Sequence, residues 1–192
     1  MDTMGKVLIS EEQIKKRAAE IGAEIDRDFA GEEVLLVCIL KGAIMWMVDV
    51  AKNIKKCGVR FDFMVVSSYG ASTKSSGVVR ILKDLDTDIT NKNVIIVEDI
   101  VDSGTTLKYL KNYFEQRGPK SVKICTLLDK RLGRRVELEA DYAGFPVDDL
   151  FIIGYGLDFD QLYRNLPYVS YLEGSEIDDL MHKDKSVREI NE

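Results

Sequence analysis

VIIVEDIVDSGTTL, residues 94–107, sets four apolar residues against the adjacent carboxylates Glu98 and Asp99, then a third carboxylate, Asp102, that leads into Ser103, Gly104, Thr105 and Thr106 and a helical pattern. The β-branched run has the length and flanks of a buried strand, and in open α/β sheets ligands gather outside the carboxyl ends of strands. The four residues after Asp102 offer hydroxyls, a flexible backbone and free N–H groups at a helix start, which together suit a phosphate. Ionised carboxylates accept hydrogen bonds and repel phosphate, so Glu98 and Asp99 are expected to face hydroxyls or a hard cation while the following turn takes the phosphate. A ribose 5-phosphate satisfies both halves. Read singly, the acids are an ordinary surface pair and the Ser/Thr turn an ordinary helix cap. Their continuity is what points to a ligand.

On either side of this segment the chain alternates helical and strand patterns. Ser10 with Gln13 forms a capping-box start, and Ile14, Ala18, Ile21 and Ile25 fall on one helical face before Gly31. Residues 34–40 read as a buried strand, 43–56 as a helix and 60–67 as a second strand, with 78–83 returning antiparallel. A helix over 105–116 stops at Gly118-Pro119, and strands over 122–128 and 150–155 complete a parallel βαβ pattern. The class is α/β, with a central, mainly parallel sheet. Between Tyr69 and Val79 the composition turns to Gly, Ala, Ser, Thr and Lys, as in a mobile connection. Residues 175–192 read as a short helix and loose tail, and the single histidine, His182, falls there, so a histidine-based triad has no support. Gly5-Lys6 is no P-loop, and Gly154-Tyr155-Gly156 lacks the third glycine of a dinucleotide fingerprint.

Bulk properties narrow the class further. A chain of 192 residues, 45% hydrophobic and 31% charged, is long enough for one sizeable core and short for two, so one domain over 1–192 is expected. A formal net charge of −6 argues against broad nucleic-acid binding, which draws on clustered Lys and Arg. Cys38, Cys57 and Cys125 are scattered without metal spacing, as expected of reduced thiols in the cytoplasm. No secretion signal is legible at the N-terminus, and the longest apolar tract, 34–50, is interrupted by Lys41 and Gly42, so no membrane partner is expected.

Several separated motifs carry a resemblance: LKG at 40–42, SSYG at 67–70, the 94–107 segment itself, LLDKR at 127–131 and FIIGYGLDFDQLYRNLP at 151–167. From about Val7 to about Leu172 the chain resembles the type I phosphoribosyltransferase family, and the last two motifs resemble its 6-oxopurine branch, the bacterial hypoxanthine-guanine enzymes. The resemblance implies a central sheet flanked by helices, a small hood and a flexible active-site loop. It implies transfer of the 5-phosphoribosyl group from phosphoribosyl pyrophosphate to hypoxanthine or guanine, giving IMP or GMP and pyrophosphate in purine salvage, with Mg2+ as cofactor. A homodimer or homotetramer is implied as well.

The same resemblance assigns roles. Glu98 and Asp99 hold the ribose hydroxyls, directly or through magnesium, and Ser103, Gly104, Thr105 and Thr106 hold the 5-phosphate. Asp102 is the general base at the purine imidazole ring; read without the resemblance it is a helix cap. Lys41 and Gly42 form the loop whose backbone meets pyrophosphate, where a non-proline cis peptide is typical. Arg164 is a second pyrophosphate contact, Asp158 the acid near a second magnesium, and Ser68 and Tyr69 the closing residues of the loop. Lys130 has three donors and no acceptor, which favours a 6-oxo purine over adenine. Phe151 stacks on the base, and Ile152 offers its backbone to the pyrimidine edge. Two other readings stay open: a phosphoribosyltransferase for adenine or xanthine, and a non-catalytic regulator of the same fold that senses phosphoribosyl pyrophosphate.

Overall fold

Ser10 fixes where the first helix begins. Its hydroxyl accepts the Gln13 N–H at 3.3 Å while the Gln13 side chain takes the Ser10 N–H at 2.8 Å, so two backbone donors that the helix leaves unpaired are satisfied reciprocally. In the computed structural model, which describes residues 4–68, 79–174 and 176–177, helix α1 (Glu11–Asp28) follows, and Ile14, Ala18, Ile21 and Ile25 are all buried along one stripe.

The remaining elements are β1 (Lys6–Ile9), β2 (Glu33–Leu40), α2 (Ile44–Asn53), β3 (Gly58–Ser68), β4 (Val79–Lys83), β5 (Asn93–Val101), α3 (Thr105–Glu115), β6 (Ser121–Asp129), β7 (Tyr142–Pro146), β8 (Phe151–Ile153) and β9 (Val169–Leu172). Six strands form one sheet in the order β4-β3-β2-β5-β6-β7, parallel except for β4 at one edge. In β2 the side chains of Val34, Leu36 and Cys38 enter a core shared with α1 and α2, and those of Leu35, Val37 and Ile39 a core shared with α3. That explains its unbroken apolar run, because a strand covered on both faces has no polar side to show.

The sheet order makes the site. From β2 the chain crosses through α2 outward to β3; from β5 it crosses through α3 the other way to β6. The two crossovers leave on opposite faces, so a crevice opens between the carboxyl ends of the adjacent strands β2 and β5. Lys41 and Gly42 emerge on one side of it, and Glu98 to Thr106 on the other.

Three sequence expectations need correction. The helix expected over 43–56 stops at Asn53, because the buried Asp26 carboxylate accepts the N–H groups of Lys55, Lys56 and Cys57 at 2.8, 2.8 and 3.1 Å and pulls the chain out of helical pairing. The strand expected over 94–97 runs on to Val101, so the two acids lie inside the ladder, with Glu98 opposite Thr126 and Ile100 opposite Leu128. The strand expected over 150–155 does not join the parallel sheet. As β8 it closes a separate antiparallel sheet, β1-β9-β8, while β7 takes the parallel edge, anchored by Asp141, whose carboxylate accepts the Ile124 N–H at 2.8 Å. This second sheet is the hood. Ile9, Ile152 and Val169 extend the core already formed by α1 and α2, so the two sheets share one interior.

Asp26→Ala leaves three N–H groups without their acceptor and is expected to destabilise the fold by about 2–3 kcal/mol, measured by urea unfolding at pH 7. Burial pushes this carboxyl up, but its three backbone N–H bonds prevail and hold it below the ordinary carboxylate range. Its contribution is therefore present above the unfolded pKa and lost as pH falls through the folded one, so the gap between wild type and variant should close in acid.

Candidate active site

A cleft of about 480 Å³ lies at this crevice. Its lining includes Lys41, Gly42, Glu98, Asp99, Asp102, Ser103, Gly104, Thr106, Asp158 and Arg164, so most of the residues singled out from sequence meet in one place. The peptide between Leu40 and Lys41 is cis, as the resemblance implied. Gly42 packs directly against Asp99, and a Cβ there would overlap the carboxylate. On its other side the Gly42 carbonyl meets Gly156, whose φ of +104° belongs to glycine and where a Cβ would overlap that oxygen. Three layers of backbone and carboxylate thus stack without an intervening side chain.

The acid pair is electrostatically frustrated. Burial first, then the neighbouring Asp99 charge and its hydrogen bond, push the Glu98 carboxyl well above its ordinary range. Burial also raises Asp99, against the opposing pull of Glu98, the Ile100 N–H at 2.7 Å and the Arg164 charge. Both carboxyls are thus pushed toward the protonated form, Glu98 the further above its ordinary range. Glu98 Oε2 is buried and, among the described residues, has no hydrogen-bond partner. Sugar hydroxyls or a hard divalent cation would supply what that oxygen lacks, and an all-oxygen donor pair suits Mg2+. Among the described residues no group of three or more His, Cys, Asp or Glu side chains converges on a metal position, so Asp158 does not complete a cluster with Glu98 and Asp99. A cation here would take most of its ligands from substrate and water.

Beyond the pair, β5 ends and the chain turns through Gly104, at φ +77°, into α3. No side chain caps this helix. Ser103, Gly104, Thr106 and Leu107 at this helix start line the cleft, and no hydrogen bond from the first turn to Asp102 is found among the described residues, so the capping role open to Asp102 from sequence is not taken up. Ser103 Oγ receives the Thr105 N–H only at 3.4 Å, and the Ser103 hydroxyl reaches Thr105 Oγ1 at 3.3 Å; Thr105 itself is not among the lining residues. Asp102 is exposed at the rim, and Gly133 comes so close to it that a Cβ there would overlap Asp102 Oδ1.

Arg134 was not legible from sequence. It ion-pairs with Asp129 and leaves Nη1 buried without a partner among the described residues, beside the position a Cβ on Gly104 would take. The Arg135 N–H donates to the Ser103 carbonyl at 2.9 Å. The segment after β6 thus backs the phosphate turn with positive charge. Nothing in a lone Arg-Arg pair would have shown this.

The hood supplies the opposite wall. Arg164 Nη2 pairs with Asp158 Oδ1 at 2.7 Å, and Nη1 donates to the Gly156 carbonyl at 2.6 Å. Lys41 Nζ donates to Gln161 Oε1 at 2.9 Å. Tyr155, buried between two left-handed glycines, donates its hydroxyl to Asp49 Oδ2 on α2 at 2.6 Å, and burial with that carboxylate pushes the phenol up.

Lys130, Phe151 and Ile152 lie outside the lining of this cleft. Lys130 follows β6 with a side chain only 12% exposed, donating to Asp149 Oδ1 at 3.1 Å and the Leu150 carbonyl at 3.0 Å, so among the described residues one of its three N–H groups is uncommitted. Phe151 is exposed, with Phe159 edge-on at 5.7 Å between ring centroids. Ile152 is buried in β8, an edge strand whose backbone, among the described residues, pairs only with β9. Ser68 ends β3. Tyr69 lies outside the described residues, as do most of the segment expected to close the site, the C-terminal tail and His182.

The crevice, the acid pair and the amide-lined turn define a type I phosphoribosyltransferase. Residues 8–160 match the phosphoribosyl transferase domain family, and the chain belongs to it. Within that family its relatives are hypoxanthine-guanine phosphoribosyltransferases. It is 51% identical over 168 residues to that of Streptococcus thermophilus, covering 88% of this chain and 93% of the relative, and 51% identical over the same share to that of Bacillus subtilis. In solved structures it is similar to a hypoxanthine-guanine phosphoribosyltransferase from Bacillus anthracis with HEPES in the active site, with a TM-score of 0.85, 47% identity and coverage of 89% of this chain and 100% of that one. A hypoxanthine phosphoribosyltransferase from Staphylococcus aureus gives a TM-score of 0.85 at 45% identity, covering 88% and 92%.

Because the Glu98 carboxyl is raised in the fold, the native state binds more protons than the unfolded chain above the ordinary glutamate pKa, and stability falls as pH rises through that window. Glu98→Gln removes the penalty. In metal-free buffer with chelator the variant should match wild type near pH 4 and melt higher at pH 8, on the order of 2–4 °C, the shift that about 1 kcal/mol makes in a chain of this size. A Tm difference that does not grow with pH would contradict a raised Glu98 carboxyl.

Proposed function

We propose that this chain works in purine salvage, transferring the 5-phosphoribosyl group of phosphoribosyl pyrophosphate to hypoxanthine or guanine to give IMP or GMP and pyrophosphate. One observation carries the reading: a single cleft holds the Glu98–Asp99 pair, the Ser103-Gly104 turn with the start of α3, and the cations Lys41 and Arg164. Those are acceptors for a sugar diol, donors for a terminal phosphate, and positive charge for a diphosphate leaving group. No simpler ligand uses all three.

The chemistry separates charge. As the bond from C1 of the ribose to pyrophosphate breaks, the sugar becomes cationic and the leaving group takes the electron pair. Carboxylates under the ring and cations around the departing oxygens stabilise both ends in a site shielded from water. One imidazole nitrogen of the base forms the new bond to C1, and its other nitrogen gives up a proton. Asp102, at the rim beyond the acid pair, is assigned as acceptor of that proton. Glu98 and Asp99 would hold Mg2+ together with the substrate, with Asp158 beside a second ion, and the metal would neutralise pyrophosphate charge.

Base choice rests on Lys130. Its uncommitted N–H suits the 6-oxo group of hypoxanthine or guanine, whereas the 6-amino group of adenine would set donor against donor. Phe151 has an exposed ring for stacking, and β8 has an unpaired edge at Ile152. Ser68 and Tyr69 are assigned to a closing loop. In support, the pairing of Ser68 with Val79 brings the two ends of the intervening segment together, and Val66 on the same strand lines the cleft. Assembly as a homodimer or homotetramer is supported by Ile44, Met45 and Val48, exposed together on α2. A cytoplasmic location agrees with three free cysteines and with the finding that no described helix is long and apolar enough to cross a membrane.

The assay is pyrophosphate release from phosphoribosyl pyrophosphate and Mg2+ with each of hypoxanthine, guanine, xanthine and adenine. Release with the first two is expected; release with adenine alone would overturn the Lys130 argument, and none with any base would favour a sensor. Asp102→Asn should bind phosphoribosyl pyrophosphate as wild type does yet lose about 10²–10⁴-fold in kcat, the usual worth of general-base help. Unchanged turnover would remove the role.

A further inference from the structure

Lys41 and Arg164, the cations assigned to pyrophosphate, do not stand free. Gln161 Oε1 accepts from Lys41 Nζ at 2.9 Å and from Arg164 Nη2 at 3.4 Å. The other end of the same amide, Nε2, donates to Asp158 Oδ2 at 3.4 Å, and the Gln161 backbone N–H donates to that oxygen at 2.8 Å. Asp158 Oδ1 in turn holds Arg164 Nη2 at 2.7 Å. Gln161, Asp158 and Arg164 close a ring, and Lys41 joins it through Gln161, linking the loop after β2 to the hood loop.

The backbone is shaped to put Gln161 there. Asp160, Gln161 and Tyr163 have φ of +47°, +68° and +69°, a left-handed conformation that non-glycine residues adopt at some cost. Phe159 and Leu162 exchange N–H bonds at 3.3 and 3.0 Å across the reversal. Gln161 is exposed at its tip, so burial does not account for its position. What its side chain gains is contact with both cations at once.

A carboxamide oxygen resembles a non-bridging phosphate oxygen: it accepts two hydrogen bonds and carries partial negative charge, but no full charge. We infer that Gln161 sets the affinity of the leaving-group site, its amide oxygen occupying the place of a pyrophosphate oxygen and yielding it when substrate arrives. This rests on the assignment of Lys41 and Arg164 to pyrophosphate. The amide keeps the two cations aligned in the free enzyme and competes weakly with the diphosphate. Product pyrophosphate, freed of its bond to the sugar, is then released against a ready replacement. A carboxylate at the same position would hold the cations too firmly and repel the ligand.

The test is titration calorimetry of the full chain with inorganic pyrophosphate and Mg2+, for wild type, Gln161→Ala, Gln161→Met and Gln161→Glu, with ribose 5-phosphate as control ligand and thermal melts as control of folding. Methionine keeps the length of the side chain without the amide. Both neutral variants should bind pyrophosphate more tightly than wild type, roughly three- to tenfold, the net worth of about one hydrogen bond. The glutamate variant should bind at least about tenfold more weakly, as expected for an unscreened like charge at the site. Ribose 5-phosphate should bind alike in all four. Equal or weaker pyrophosphate binding by the alanine and methionine variants would overturn the inference, since Gln161 would then help to hold the ligand. Failure of wild type itself to bind pyrophosphate would remove the parent assignment, and the inference with it.

Discussion

Glu98 and Asp99 sit side by side, half-buried, where the otherwise covered strand β5 opens into the cleft, and the site is organised around relieving that conflict. Burial and the neighbouring Asp99 charge push the Glu98 carboxyl up, and among the described residues its Oε2 is buried without a donor. In the free protein this is a penalty. A ribose diol or divalent cation removes it, so part of what folding loses returns as binding energy. The sheet tolerates the strain because β5 lies between β2 and β6, with helices packed against both faces, and cannot easily move.

Much of this was legible in the sequence because the features involved are local. The Ser10–Gln13 box, the apolar run of β2 and the Gly turn that leads from the acids into a helix each depend on a few consecutive residues, and the structure has them where expected, with β5 extended to take in the acids. What escaped depends on residues far apart. The end of α2 at Asn53 is decided by Asp26, an acid whose patterning on α1 looks like any other helix charge. The Phe-Ile-Ile run of β8 has the composition of a buried parallel strand, yet it pairs with β9 because β7, short and poor in β-branched residues, already holds the sheet edge. Composition alone cannot settle which strand gets an edge.

The site residues divide the same way. Glu98, Asp99, Asp102 and the phosphate turn come from one segment and could be read together. Arg134 and Gln161 matter through atoms contributed by other loops, and neither stands in a motif that names its partner. Lys130 was read from its donor chemistry, which the structure leaves intact; its two present acceptors, Asp149 and the Leu150 carbonyl, fix where the remaining N–H can point.

The spacing between the two leaving-group cations is set by backbone. Lys41 follows β2 and Arg164 belongs to the hood, so a chain of contacts must register one against the other. That chain runs from Asp99 to Gly42 to Gly156, with Arg164 bound to the Gly156 carbonyl and Tyr155 tied to Asp49 on the helix that Gly42 precedes. Side chains in this stack would act as spacers of variable rotamer; two glycines in direct contact leave no such freedom. A cleft that must hold an acid pair, a phosphate turn and two cations in fixed relation to one extended substrate gains from that rigidity, since an error of about 1 Å in such positioning costs on the order of 10²-fold in rate. Glycine at 42 and 156 is therefore a requirement of alignment, and the adaptable part of the site is left to the exposed reversal at Gln161.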